Sequence, residues 1–228
     1  MKKVLFGLFA LSTVALANET NIYIRTGLDL NGKYDTITGY DGPANEEKAD
    51  EISYEFAIEA TKEISNKVEF GLGLAYQKHG EPKEENYFGG DEYDHLVGAN
   101  YDIPGYTSIP VYFTLKYKFD AVNNFIPYIK GNLGYSFNMD DGDGKYTPKD
   151  FTDKISKTYS YDIDMKNGLY YGIGAGFEYN NFTLDLMYQV NEATAEISDK
   201  EAGFEHVKTE DDFDYSRLTL GFGYKFNF

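Results

Sequence analysis

From Leu218 to Phe228 every second residue is apolar: Leu218, Leu220, Phe222, Tyr224, Phe226 and Phe228 fall on one face, and Thr219, Gly221, Gly223, Lys225 and Asn227 on the other. A repeat of two marks a β-strand with a single apolar face. Seven earlier segments follow the same plan: Asn21 to Leu30, Glu51 to Thr61, Val68 to Lys78, Ser108 to Phe119, Phe125 to Asn138, Leu169 to Tyr179 and Phe182 to Asn191. The third sets Val68, Phe70, Leu72, Leu74 and Tyr76 against Glu69, Gly71, Gly73, Ala75 and Gln77. Short turns at 62–67, 120–124 and 180–181 alternate with long connections at 31–50, 79–107, 139–167 and 192–212. That alternation predicts an all-β chain, an eight-stranded antiparallel up-and-down transmembrane β-barrel with its apolar faces outward. The segments reach the roughly 9–11 residues that a tilted membrane-crossing strand needs. A soluble sandwich or lipocalin-like barrel carries the same alternation with the apolar face inward, and periodicity alone does not separate the two.

The N-terminus favours the membrane form. Lys2 and Lys3 precede an apolar run from Val4 to Leu16 that closes on Ala15, Leu16 and Ala17. This reads as a cleaved secretory signal over residues 1–17, with the mature barrel domain spanning 18–228. The run is shorter than the roughly 20 residues of a helical membrane anchor. Aromatic residues gather toward the short-turn rim, among them Phe70, Phe119, Phe125, Phe177, Tyr179, Phe182, Tyr224 and Phe226, as an interfacial girdle would. The location implied is the bacterial outer membrane, with both termini on the periplasmic side.

The inner face carries the charges. Arg25, Lys116, Lys118, Lys130, Arg217 and Lys225 stand against Asp29, Glu55, Glu59, Glu69, Glu178 and Asp185, six of each sign. An eight-stranded barrel is only wide enough for its side chains to fill it, and buried charges must pair or suffer desolvation. A salt-bridged plug is therefore expected rather than an open pore. Glycines such as Gly172, Gly174 and Gly176 recur every second residue with no helix pattern after them, so they are small lumen positions and not a dinucleotide fingerprint.

The long connections hold −17 of the −19 that the mature chain carries once Lys2 and Lys3 are gone. Such runs ordinarily form solvated, repulsive, mobile surface, and a chain this acidic is an unsuitable partner for nucleic acid. With no cysteine there is neither a disulfide framework nor a thiolate metal site. Asp140, Asp141, Gly142, Asp143 and Gly144 resemble part of a calcium loop, but the glutamate such a loop needs at its twelfth position is missing, so no metal or cofactor is expected. His79, His95 and His206 have no serine close in sequence and read as surface histidines, leaving no catalytic candidate.

The in–out pattern, the segment from Gly168 through Tyr188 and the terminal Phe228 together resemble the small OmpA-like and OmpX-like outer-membrane barrels over essentially the whole mature chain. In that family a terminal signal is recognised by the barrel assembly machinery, and Gly223, Phe226 and Phe228 match it. The resemblance implies a surface-exposed, non-enzymatic barrel serving envelope integrity, adhesion or host-factor binding. Its partners would be outer-membrane lipid and lipopolysaccharide, the assembly machinery during insertion, and a host or other extracellular protein at the loops. The second reading is a small passive channel.

Overall fold

The computed structural model describes residues 20–37, 44–90, 96–140, 142–150, 155–199 and 208–228. In chain order the strands are β1 (Thr20–Tyr34), β2 (Asn45–Ala49), β3 (Tyr54–Ser65), β4 (Val68–Lys78), β5 (Pro82–Gly90), β6 (Leu96–Asp102), β7 (Tyr106–Lys118) and β8 (Phe125–Asp140). They continue with β9 (Gly144–Asp150), β10 (Ile155–Ser156), β11 (Tyr159–Lys166), β12 (Gly168–Tyr179), β13 (Phe182–Asn191), β14 (Thr194–Asp199), β15 (Lys208–Asp212) and β16 (Tyr215–Asn227). Residues 1–17, expected as a signal segment, lie outside the described residues.

Eight of these strands close a ring in the order β1, β16, β13, β12, β8, β7, β4, β3 and back to β1, every pairing antiparallel. Closure leaves no sheet edge in this ring. Tight turns join it at one end. Asn123 (φ 51°), Asn124 (φ 69°) and Asn180 (φ 55°) take the left-handed backbone there, which asparagine tolerates better than other non-glycine residues because its short amide bonds locally.

The alternation is oriented polar-in. Outward Ile173 is 67% exposed and Leu133 60%, whereas inward Arg217 is 1% exposed. A soluble lipocalin-like barrel would show the reverse. A continuous apolar exterior of this extent is a surface for lipid.

The long connections differ from the solvated loops expected of them. They carry a second storey of strands in the order β2, β5, β6, β9, β11, β14, β15, standing on the ring at its long-connection end, with β10 on β9. In β11, Tyr161, Ile163 and Met165 are buried while Asp162, Asp164 and Lys166 are exposed. That is the same period of two, shortened to a few residues and masked by the acidic residues on the outer face. Tyr34, Ile37, Ala44, Tyr101, Ile103, Tyr106, Ile163, Met165, Ala193, Ala195, Phe213 and Tyr215 form a buried apolar core inside this storey.

Several strand ends differ from those the alternation predicts. The strand expected from Glu51 begins at Tyr54 and runs on to Ser65. The alternation stops the first strand at Leu30, whereas β1 continues to Tyr34 through a β-bulge between Asp29 and Asn31. A bulge inserts one unpaired residue and reverses the parity that follows. Before it Tyr23, Arg25 and Gly27 face the lumen; after it Gly32 and Tyr34 do.

Candidate functional site

All twelve charged residues read from the inner parity face the lumen, where they arrange into three ionic tiers. Nearest the short turns, Lys116 Nζ lies 2.7 Å from Glu178 Oε1 and Lys225 Nζ 3.2 Å from Glu178 Oε2. Lys118 Nζ reaches Glu69 at 3.0 Å and Glu63 at 2.6 Å. The Tyr23 hydroxyl donates between Glu69 Oε2 (2.8 Å) and Glu178 Oε1 (3.1 Å). The Lys116 ammonium also sits 3.9 Å from the Tyr23 ring centroid and 4.6 Å from that of Tyr128, a cation–π arrangement that offsets part of its lost hydration.

In the middle tier, Arg25 joins two carboxylates, with Nη1 3.1 Å from Glu59 Oε1 and Nη2 2.5 Å from Asp185 Oδ1. Lys130 Nζ is 2.5 Å from the same Glu59 oxygen, to which Tyr112 also donates at 2.8 Å, while Tyr128 donates to Asp185 at 2.6 Å. Gly221 and Gly223 clear the way for the arginine. A Cβ at Gly221 would stand 2.7 Å from Arg25 Nη2, and one at Gly223 would stand 2.8 Å from Arg25 Cγ.

In the third tier Arg217 faces Asp29 and Glu55, each at 3.5 Å, and donates to Gln189 Oε1 (2.9 Å) and Asn191 Oδ1 (2.5 Å). Gln77 donates to Glu55 and Thr219 to Asp29. Buried ions are tolerable only when their remaining bonding capacity is met in this way. The amides Gln77, Gln189 and Asn191 and the lumen tyrosines were not singled out from sequence as bonding partners, although their inner parity was the signal for them.

Above the third tier the lumen closes on rings. Tyr34 stacks on Phe213 at 4.5 Å between centroids and contacts Tyr215 at 4.7 Å. His79 is wedged between Tyr106 (4.6 Å) and Tyr215 (4.3 Å). This corrects its reading as a surface histidine: it is 1% exposed, and its Nε2 lies 2.9 Å from Ser108 Oγ. Parity could have found the pair, since His79 continues the inner face of β4 by one step and Gln77 pairs with Ser108. Ser108 Oγ in turn donates to Asn138 Oδ1 at 2.8 Å, and Asn138 Nδ2 caps the carbonyls of Lys166 and Glu192. His79 lies one residue past the end of β4, where burial, Arg217 and Lys78 hold its pKa well below 6.5. His95 and His206 lie outside the described residues.

On the rim of the upper storey the carboxylates are crowded. Asp35 is pushed up from 3.8 by partial burial and then by Asp212 and Glu47; Asp214 is pushed up by burial, Asp35, Glu192 and Asp212, against a lowering hydrogen bond from the Ala193 amide. Among the described residues no group of histidine, cysteine or acidic side chains is placed to hold a metal ion. Asp140 ends β8 and Gly144 opens β9, while Asp141 lies outside the described residues. At the opposite rim Phe226 and Phe228 point outward and Gly223 faces the lumen.

Comparison with known proteins finds relatives along nearly the whole chain. An uncharacterized protein of Pasteurella multocida is 29% identical over 241 residues, an overlap taking in 99% of this chain and 98% of that one. Among solved structures, the outer membrane protein OprG from Pseudomonas aeruginosa shares 16% identity at a TM-score of 0.46, covering 92% of this chain and 96% of OprG. Ail, the attachment invasion locus protein of Yersinia pestis, solved with the heparin analogue sucrose octasulfate, shares 16% at a TM-score of 0.40, covering 92% of this chain and 100% of Ail. A family model for the outer membrane protein β-barrel domain matches residues 4–226. With a closed eight-stranded ring, a polar lumen and an apolar exterior behind that match, the chain belongs to the outer membrane protein β-barrel family and resides in the bacterial outer membrane.

Proposed function

We propose that this chain is a non-enzymatic barrel whose upper storey acts at the cell surface, in envelope integrity or in adhesion and host-factor binding. The observation that carries this reading is the filled interior. Three ionic tiers, a lid of rings and an apolar core occupy the axis in succession, which leaves the outer faces of β2, β5, β6, β9, β11, β14 and β15 as the surface available to a partner. The short-turn end and both termini face the periplasm, residues 1–17 direct export, and lipid and lipopolysaccharide surround the apolar band. Gly223, Phe226 and Phe228 serve as the terminal signal for the assembly machinery.

The absence of an enzymatic role is supported by the His79 site. Ser108 is fully buried, and His79 Nδ1 has no partner to orient the ring as a general base requires. The channel reading draws support from two buried oxygens without protein partners, Thr114 Oγ1 and Asn132 Oδ1, opposite each other on β7 and β8 and next to Gly172. Buried oxygens of this kind hold ordered water.

Single-channel conductance of the refolded mature chain separates the two readings, with a Glu55→Ala/Glu59→Ala variant beside it. A closed wild type supports the surface scaffold. Steady openings that respond to those two substitutions replace it with the channel.

A further inference from the structure

Any closed barrel has one seam where the first strand meets the last, and here it is β1 with β16, from Asn21↔Asn227 to Tyr34↔Tyr215. This pairing joins the most distant parts of the chain, so its loop-closure cost is the largest in the ring. Both lumen arginines cross it, in opposite directions. Arg25 starts on β1, passes over β16 and ends on Asp185 of β13, 160 residues away. Arg217 starts on β16, reaches Asp29 on β1 and continues to Glu55 on β3.

The seam glycines fit this crossing. Gly27 and Gly221 are direct partners across the seam. A Cβ at Gly27 would stand 2.9 Å from Glu55 Cγ, and one at Gly221 would stand 2.4 Å from Asp185 Oδ1. Side chains at these two positions would block both crossings.

We propose that Arg25 and Arg217 form a reciprocal latch across the closing seam and govern how readily the barrel opens between its first and last strands. Each arginine is ion-paired to the far side of the seam, Arg25 to Asp185 on β13 and Arg217 to Asp29 on β1 and Glu55 on β3, so the two sheet edges separate only when both sets of ion pairs break together. The molecule supplies its own control. Lys116–Glu178 also spans one intervening strand, from β7 over β8 to β12, and its side chains are 4% and 1% exposed, the same as Arg25 and Asp185, but neither residue stands on a seam strand, and removing Lys116 leaves the bonds from Tyr23 and Lys225 to Glu178 in place.

The test is hydrogen exchange, strand by strand, on the refolded mature chain in lipid, comparing wild type with Arg25→Met, Arg217→Met and Lys116→Met. Amides of β1 and β16 should exchange about 100-fold faster in either arginine variant, with the β8–β12 ladder changed by no more than about threefold; the lysine variant should show no preference for the seam. The chain has no cysteine, so a Thr26→Cys/Phe222→Cys pair at directly opposed outward positions bolts this seam alone. Once oxidised, it should return the arginine variants to wild-type exchange. Should Arg25→Met not refold, Arg25→Lys keeps the charge and loses the double reach, and about a 10-fold rise confined to the seam is expected. A rise spread evenly around the ring, an equal seam effect from Lys116→Met, or failure of the oxidised pair to rescue overturns the latch.

Discussion

The imidazole of His79, one residue past β4, and the hydroxyl of Ser108 on β7 meet at 2.9 Å, with the imidazole packed between Tyr106 and Tyr215. The folded chain holds this histidine neutral, because its pKa lies well below 6.5. On unfolding it recovers its ordinary value and takes up a proton first. The associated stability is therefore complete above about pH 6.5 and is lost as the pH falls toward the folded value, by at most about 1.4 kcal/mol per pH unit. Urea unfolding from pH 8 to 4.5 should show this loss in wild type, and the difference from His79→Gln should be flat above pH 6.5 and slope below it.

The rim carboxylates carry the opposite sign. Asp35 and Asp214 are raised above 3.8 in the folded chain, so their contribution is present below 3.8 and is lost as the pH rises through their folded values. At neutral pH they repel. Asp214→Asn keeps the oxygen that accepts from the Ala193 amide and removes a charge, so its melting temperature at pH 7 should be unchanged or higher by an increment worth up to about 0.5 kcal/mol. The advantage should vanish at pH 3.

Glycine positions should respond by face. Alanine at Gly221 presses on Asp185 and Arg25 and should cost about 1–3 kcal/mol. Alanine at outward Gly131, whose nearest neighbour to an added Cβ is the Gly172 oxygen at 3.8 Å, should be neutral or stabilising by up to about 1 kcal/mol. The gel mobility of the heated, folded chain ranks the two directly.

Glu59 serves Arg25, Lys130 and Tyr112 together. Glu59→Gln leaves two buried cations short of a counter-charge, at about 3–5 kcal/mol. Adding Lys130→Met removes one of those cations, so the double variant should recover part of the loss in the same urea titration. No recovery would mean that the two side chains are not energetically coupled.

The ring was readable in the sequence because each crossing strand is long enough for its period of two to stand out: β4 and β13 run over the very residues the alternation predicts. The lumen charges followed from the same parity. What escaped depended on short runs or single insertions. In β11 only three inward residues, Tyr161, Ile163 and Met165, reveal the pattern among acidic neighbours. The bulge at Leu30 hid the inward turn of Tyr34, since nothing in the composition of that stretch announces an extra residue. The His79–Ser108 pair depended on cross-strand register, which only the folded sheet supplies.

The even balance of the lumen has an electrical consequence. A membrane potential does work on an element in proportion to the net charge it moves across the bilayer. The six cations and six anions inside this ring sum to zero and are tied to one another across neighbouring strands. If the network shifts as a body it carries no gating charge, so voltage has nothing to pull on; the surplus negative charge of the chain lies outside the lumen set, where it shapes the field met by approaching molecules.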